Sequence, residues 1–138
     1  YAVAPEPWMT GLKKATLYSS NGVSTPTQWA GLAATSIDTS TLEEMKNKYR
    51  MRRDLLLTGL NDIGLACAPP AGAFYAFPDV SRISKDSREA ADVVLNRAQV
   101  ATVPGIVFGA EGESHLRFSF STSLETIEAG LDSLRRNL

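Results

Sequence analysis

Apolar residues recur along this chain with two periods, and the change from one to the other falls near Gly64. After Pro5 and Pro7, which favour an extended or turning entry, Trp8, Leu12 and Ala15 lie at helical spacing up to the polar break Ser19-Ser20-Asn21-Gly22, and a helix over about 7–19 is predicted. The segment from Gln28 to Ala34 is small and apolar on most sides, as in a helix packed closely by its neighbours. Ser40 stands three residues before Glu43, the spacing of a capping box, and Leu42, Met45, Tyr49, Leu56 and Leu60 then share one helical face, predicting a long helix over about 41–60. Beyond Gly64 the texture turns to short β-type runs at 65–67, 74–77, 100–103 and 116–121, divided by Gly and Pro. Asp86 and Glu89 have capping-box spacing before Ala90, Ala91, Val93, Val94 and Leu95, a short helix. Thr122 and Glu125 repeat that spacing before the stripe Leu124, Ile127, Leu131, Leu134 and Leu138.

Helices therefore precede, interrupt and close a small sheet, and the expected fold class is α/β, of the α+β kind: a small sheet packed with helices, preceded by a long linking helix. The 138 residues suffice for one domain with a real core, and 43% hydrophobic with 21% charged residues is the composition of a folded globular chain. Fourteen basic against fifteen acidic side chains leave a net charge of −1, which provides no overall attraction for nucleic acid or an anionic membrane, and neither is expected as a partner. The same balance makes the basic residues Lys46, Lys48, Arg50, Arg52 and Arg53 a solvated helix face. No run approaches the roughly 20 apolar residues of a membrane span. The single Cys67 cannot build a disulfide framework and behaves as a small hydrophobe, so a reducing, cytoplasmic setting is expected. The opening Tyr1-Ala2-Val3-Ala4-Pro5 reads like mid-protein sequence, and the chain is expected to be a piece of a longer one.

Candidate chemistry is sparse. In the run from Leu116 to Ser121, alternation places Leu116, Phe118 and Phe120 on one face and Arg117, Ser119 and Ser121 on the other. A guanidinium on a rigid strand can take a carboxylate or phosphate through two parallel hydrogen bonds, although taken alone such an arginine more often makes an internal ion pair or meets solvent. The glycine-rich run from Pro104 to Gly112 follows a predicted strand but has neither dinucleotide nor P-loop spacing, and leads into a strand rather than a helix, so it is read as a shaped loop. His115 is the only histidine; with one distant cysteine it makes no zinc set, and without a Gly-x-Ser-x-Gly elbow it makes no hydrolase triad. No metal site is expected.

Four strings nonetheless stand in a telling order: "SSNGVSTPTQWAGLAA" at 19–34 before the capped helix, Gly72-Ala73-Phe74-Tyr75-Ala76-Phe77-Pro78-Asp79-Val80-Ser81, the loop "TVPGIVFGAEG" at 102–112, and "HLRFSFSTSLETIEAGLDSLRRNL" at 115–138. In this order they resemble the C-terminal part of class I/II, fold type I, pyridoxal-phosphate-dependent aminotransferases of the aspartate aminotransferase type. The resemblance implies a helical remnant at 1–38 following the large cofactor domain and a small C-terminal domain at 39–138. It implies that Arg117 binds the α-carboxylate of the substrate, and that the intact protein transfers an amino group between an α-amino acid and a 2-oxo acid as a homodimer. It also implies pyridoxal 5′-phosphate carried by a lysine upstream of this chain. Ser84-Lys85 matches that lysine motif only superficially, because no Gly-x-Arg-x-Gly follows. No catalytic or cofactor-binding residue is therefore assigned within the chain, which is expected to be inactive alone and to hold no cofactor. The competing readings are an aminotransferase-like effector domain of a transcription regulator, distinguished by an upstream winged helix, and a cofactor-free interaction module.

Overall fold

The computed structural model describes residues 1–138, and the chain divides into two units, residues 1–41 and 42–138. In the first unit, α1 (Trp8–Ser19) and α2 (Thr25–Ala34) form where the sequence places helical spacing. The second helix begins three residues earlier than the apolar segment, because Pro26 is accommodated in its first turn, where a missing N–H costs nothing. No side chain of either helix is buried.

The long helix α3 spans Thr39–Asp62. Its start is held by Asp38, which accepts from the Ser40 amide at 3.2 Å and the Ser40 hydroxyl at 2.7 Å, rather than by the predicted Ser40–Glu43 box. Glu43 turns instead to Lys46, one turn along the same helix. Of the predicted stripe, Leu56 and Leu60 are buried and Tyr49 packs against the core, whereas Leu42 and Met45 are exposed. Of the basic face, Lys46, Lys48 and Arg50 are exposed as expected, with Lys46 on Glu43 and Lys48 on Glu44, whereas Arg52 and Arg53 are partly buried, Arg52 over the Tyr49 ring and Arg53 on Asp54.

The sheet has three short antiparallel strands in the order β1 (Tyr75–Ala76), β3 (Leu116–Ser119), β2 (Val103–Pro104), with β3 central. Register sets Tyr75 opposite Ser119 and Ala76 opposite Phe118 on one side, and Val103 opposite Arg117 and Pro104 opposite Leu116 on the other. The predicted strand at 65–67 does not form. The Leu65 amide still completes the end of α3 by donating to Leu60, and the Cys67 amide donates to the Asn61 side chain, so neither amide is left for a ladder. Leu65 is nevertheless fully buried as a core residue, and Cys67 packs beside it, its thiol pushed above the ordinary value by desolvation.

Helix α4 (Ser87–Ala98) starts at Asp86, whose carboxylate accepts from the Arg88 and Glu89 amides, as the sequence predicts. The return half of that box runs through an intermediary: Glu89 accepts from the Ser84 hydroxyl, which accepts from the Asp86 amide. The last helix, α5 (Leu124–Asn137), is capped by Ser123, one residue beyond the predicted Thr122. Its stripe buries Ile127, Leu131 and Leu134 against Leu56, Leu57 and Leu60 of α3, Ala90, Val94 and Ala98 of α4, and the inward face of β3. Helices α3 and α5 approach closely at Gly59, where an added Cβ would meet the Leu131 side chain. No helix is long and apolar enough to cross a membrane, and no group of acidic, histidine and cysteine side chains is placed to hold a metal ion.

Candidate functional site

The central strand supplies the site. Leu116 and Phe118 are buried and Arg117 is half-buried on the opposite face, with Phe120 continuing the inward set, so the predicted alternation is present residue by residue. A core on one side holds the backbone under Arg117 fixed, while β1 and β2 flank it on both edges.

The Arg117 guanidinium lies over the Tyr75 ring, 4.3 Å from its centroid, and over the Phe108 ring at 5.0 Å. Tyr75 comes from β1, where Ala76 faces the core and its neighbours face outward. Phe108 comes from the first of two 3-10 turns, Gly105–Phe108 and Ala110–Gly112, which fold the glycine-rich run back over the sheet. Cation–π contacts of this kind contribute about 0.5–2 kcal/mol each. The ion-pair reading of Arg117 does not hold: the chain's four ion pairs are Lys46–Glu43, Lys48–Glu44, Arg53–Asp54 and Arg135–Asp132. The Arg117 Nε is shielded from solvent with no hydrogen-bond partner, a condition shared only by the Thr102 hydroxyl.

The aromatic surface continues past the arginine. Phe77 meets Phe108 edge-on at 6.0 Å between centroids and stacks on His115 at 5.3 Å, the two planes 8° apart. His115 Nδ1 donates to the Glu113 carbonyl at 2.8 Å, which with the stacking gives it a structural place. Asp79, bridged to His115 through the backbone, is held below the usual carboxylate range mainly by hydrogen bonds from Ser81, with a smaller contribution from His115. On the other side Tyr75 lies 4.5 Å from Phe74, itself 6.2 Å from Tyr49 of α3, whose hydroxyl is 3.1 Å from the Ser121 hydroxyl.

The loop bearing Phe108 is clamped at its base. Gly105 and Gly112 touch backbone to backbone so closely that a Cβ on either would collide with the other's carbonyl. Glu113 Oε1 accepts from the Ser87 amide at 2.6 Å, Ser87 Oγ accepts from the Ile106 amide at 3.2 Å, and the Ser114 hydroxyl donates to the Lys85 carbonyl. The Ser87 bonds, foremost, hold the Glu113 carboxyl below its usual range. This loop is the shaped element the glycine spacing predicts. Ser84-Lys85 serves the α4 cap through the Ser84 hydroxyl, and the Lys85 side chain is exposed. Sequence reasoning picks out Arg117 but not its two rings; Tyr75 is legible as the outward neighbour of Ala76, whereas nothing in the spacing points to Phe108.

What this surface can do is receive an anion: one guanidinium, free of internal carboxylates, held near two aromatic rings on a rigid strand. Comparison with known proteins agrees with the architecture. The family model described as aminotransferase class I and II matches residues 1–134. The aspartate/prephenate aminotransferase of Thermus thermophilus is 38% identical over 141 aligned positions, covering all of this chain and 36% of that relative. The aromatic aminotransferase structure from Pyrococcus horikoshii superimposes on 97% of the chain and 36% of its own, with a TM-score of 0.86 at 32% identity. The Thermus thermophilus aspartate aminotransferase solved with maleate does so over 98% and 35%, with a TM-score of 0.84 at 36% identity. The chain thus spans a little over a third of the length of the curated relatives it matches.

Proposed function

Since this chain belongs to the class I and II aminotransferase family, we propose that it provides the substrate-carboxylate site of an enzyme that moves an amino group between an α-amino acid and a 2-oxo acid. One observation carries this reading: Arg117 is a half-buried guanidinium with no carboxylate of its own, a buried Nε without a partner, and rings on two sides. The Nε is walled off by the protein, but the terminal nitrogens of the same guanidinium are neither buried without a partner nor paired with a carboxylate of the chain, and a ligand carboxylate is the group they can take. The substrate amino acid and its 2-oxo product both bear that carboxylate next to the reacting carbon, so one arginine serves both directions. The relative solved with maleate, a dicarboxylate, is consistent with a site of this chemistry.

Residues 39–138 act in this reading as the small C-terminal domain and residues 1–38 as the helical segment that follows the large domain. When bound, pyridoxal 5′-phosphate supplies the electron sink that acidifies the substrate Cα–H. The residues present do not fit its attachment: all five lysines are exposed, and Lys13, Lys14, Lys46, Lys48 and Lys85 lie on α1, on α3 and before α4, none on β1, β3 or the loop over them. The contribution of these residues is to bind and orient the carboxylate end of the substrate, and the chain alone is inactive. The whole protein works as a cytoplasmic homodimer.

Steady-state kinetics of the full-length protein carrying this segment test the reading. Arg117→Lys keeps the charge and loses the planar fork, and raises KM for the amino acid by roughly 30–1,000-fold, the equivalent of about 2–4 kcal/mol. An unchanged KM removes Arg117 from the site.

A further inference from the structure

We propose that Phe108 and Tyr75 are positioning residues, which set the plane of the Arg117 guanidinium for the incoming carboxylate, and that the α4 N-terminus holds Phe108 in place through Ser87 and Glu113. The inference rests on the reading of Arg117 as the carboxylate clamp, and adds to it what keeps the clamp open and flat.

An arginine that is to receive a ligand faces a conflict. With no internal partner its four side-chain torsions are free, and a free guanidinium loses much of its rotamer entropy on binding. An internal carboxylate would restrain it but would also occupy it. Two rings can restrain it without occupying it, because cation–π attraction to a ring uses the charge of the guanidinium and none of its N–H donors. Tyr75 at 4.3 Å and Phe108 at 5.0 Å are placed for this.

The two rings are secured in different ways. Tyr75 sits on a strand paired directly with β3, so its position relative to Arg117 is fixed by sheet register. Phe108 is nine residues from Arg117 along the chain and lies in a loop with its ring about half exposed, at 53%, so it depends on the loop's base. That base is the contact between Gly105 and Gly112, reinforced where Glu113 takes the Ser87 amide and Ser87 takes the Ile106 amide. Ser87 is fully buried at the start of α4, so the loop is anchored to an element of the core. Ile106, the residue so bonded, is two positions before Phe108.

The test uses the full-length holoenzyme, four single variants and one double variant. Phe108→Leu keeps an apolar side chain at a half-exposed position and removes the ring face. The expected result is a roughly 2- to 30-fold rise in KM, the range of one cation–π contact, with kcat nearly unchanged. The rise has the same factor for amino acids of different side chains and for their 2-oxo acids, because all share the carboxylate. In an Arg117→Lys background the same change adds little, since the planar group it acts through is gone. Glu113→Ala reproduces the rise, and Glu113→Gln, which keeps an acceptor for the Ser87 amide, restores the wild-type KM.

A KM in Phe108→Leu equal to wild type, alongside a raised KM in Arg117→Lys, overturns the positioning role and leaves the clamp standing. A rise that follows the substrate side chain, or is fully additive with Arg117→Lys, also overturns it, because Phe108 then acts on the substrate directly. No effect of Arg117→Lys removes the clamp itself.

Discussion

Residues 1–41 and residues 42–138 both contain well-patterned helices, yet they differ completely in what those helices bury. Trp8, Trp29 and Leu32 are 72%, 66% and 59% exposed, whereas Leu60, Val80 and Leu116 are at 0%. Helical spacing is present in both regions, so spacing alone does not report burial. An apolar face becomes a core only where other elements close over it, and in the C-terminal unit three helices and a sheet do so around Leu60. Local reinforcement of helix starts does not separate the units: in the first, Glu6 accepts from the Thr10 amide of α1, and in the second, α4 and α5 are capped by Asp86 and Ser123.

The largest expected difference between the two regions is the response to truncation. Phe120→Ala removes a ring packed among buried side chains and lowers stability of the 138-residue chain by about 3–5 kcal/mol, whereas Trp29→Ala changes it by about 0.5 kcal/mol or less. Urea unfolding followed by circular dichroism measures both, and equal shifts would erase the distinction. Glycine substitutions sharpen it, because the sign is expected to reverse. Gly31→Ala meets nothing and replaces a poor helix former in α2, adding about 0.5–1 kcal/mol; Gly105→Ala drives a Cβ into backbone and costs about 1–3 kcal/mol. The same unfolding experiment reads both signs.

The smallest effect is electrostatic. Glu113 in the folded chain titrates below its ordinary 4.5, chiefly because it accepts from Ser87. A depressed carboxyl contributes stability that is complete above the unfolded value and is lost as pH falls through the folded one. Acidification below about 4.5 should therefore loosen the tie between the loop and α4, and Glu113→Gln should flatten that part of a Tm-versus-pH curve scanned over roughly pH 6 to 3. In residues 1–41 Asp38 is shifted in this direction, chiefly by its hydrogen bonds from Ser40, and it caps the start of α3.

Much of the C-terminal unit was legible in the sequence because its rules are local. The alternation of β3, the stripe of α5 and the Asp86 cap each depend on residues within a few positions of one another. The failures have a common cause. At 65–67 an apolar run looks like a strand, but the Leu65 amide completes α3 and the Cys67 amide goes to Asn61, so a tail of helical bonding outcompetes the ladder. At Ser40 and Thr122 the capping spacing was right in kind but displaced, because Asp38 and Ser123 lie equally close to the amides and reach them first. Of the candidate site, Arg117 could be singled out by alternation and by resemblance, but not its freedom from internal ion pairs or the ring of Phe108, which depend on how a glycine loop folds over a sheet.

That loop has a consequence for how the protein can change over generations. At Gly105 and Gly112 two stretches of main chain touch, so the twenty-letter alphabet collapses to one letter at each position, and no single exchange at either is neutral. Between them, Val107 and Phe108 are 63% and 53% exposed and carry no such restriction of space. Exchanges are thus costly at the base of the loop and sterically open at its tip, so residues beside the arginine can be altered without unmaking the fold that presents it.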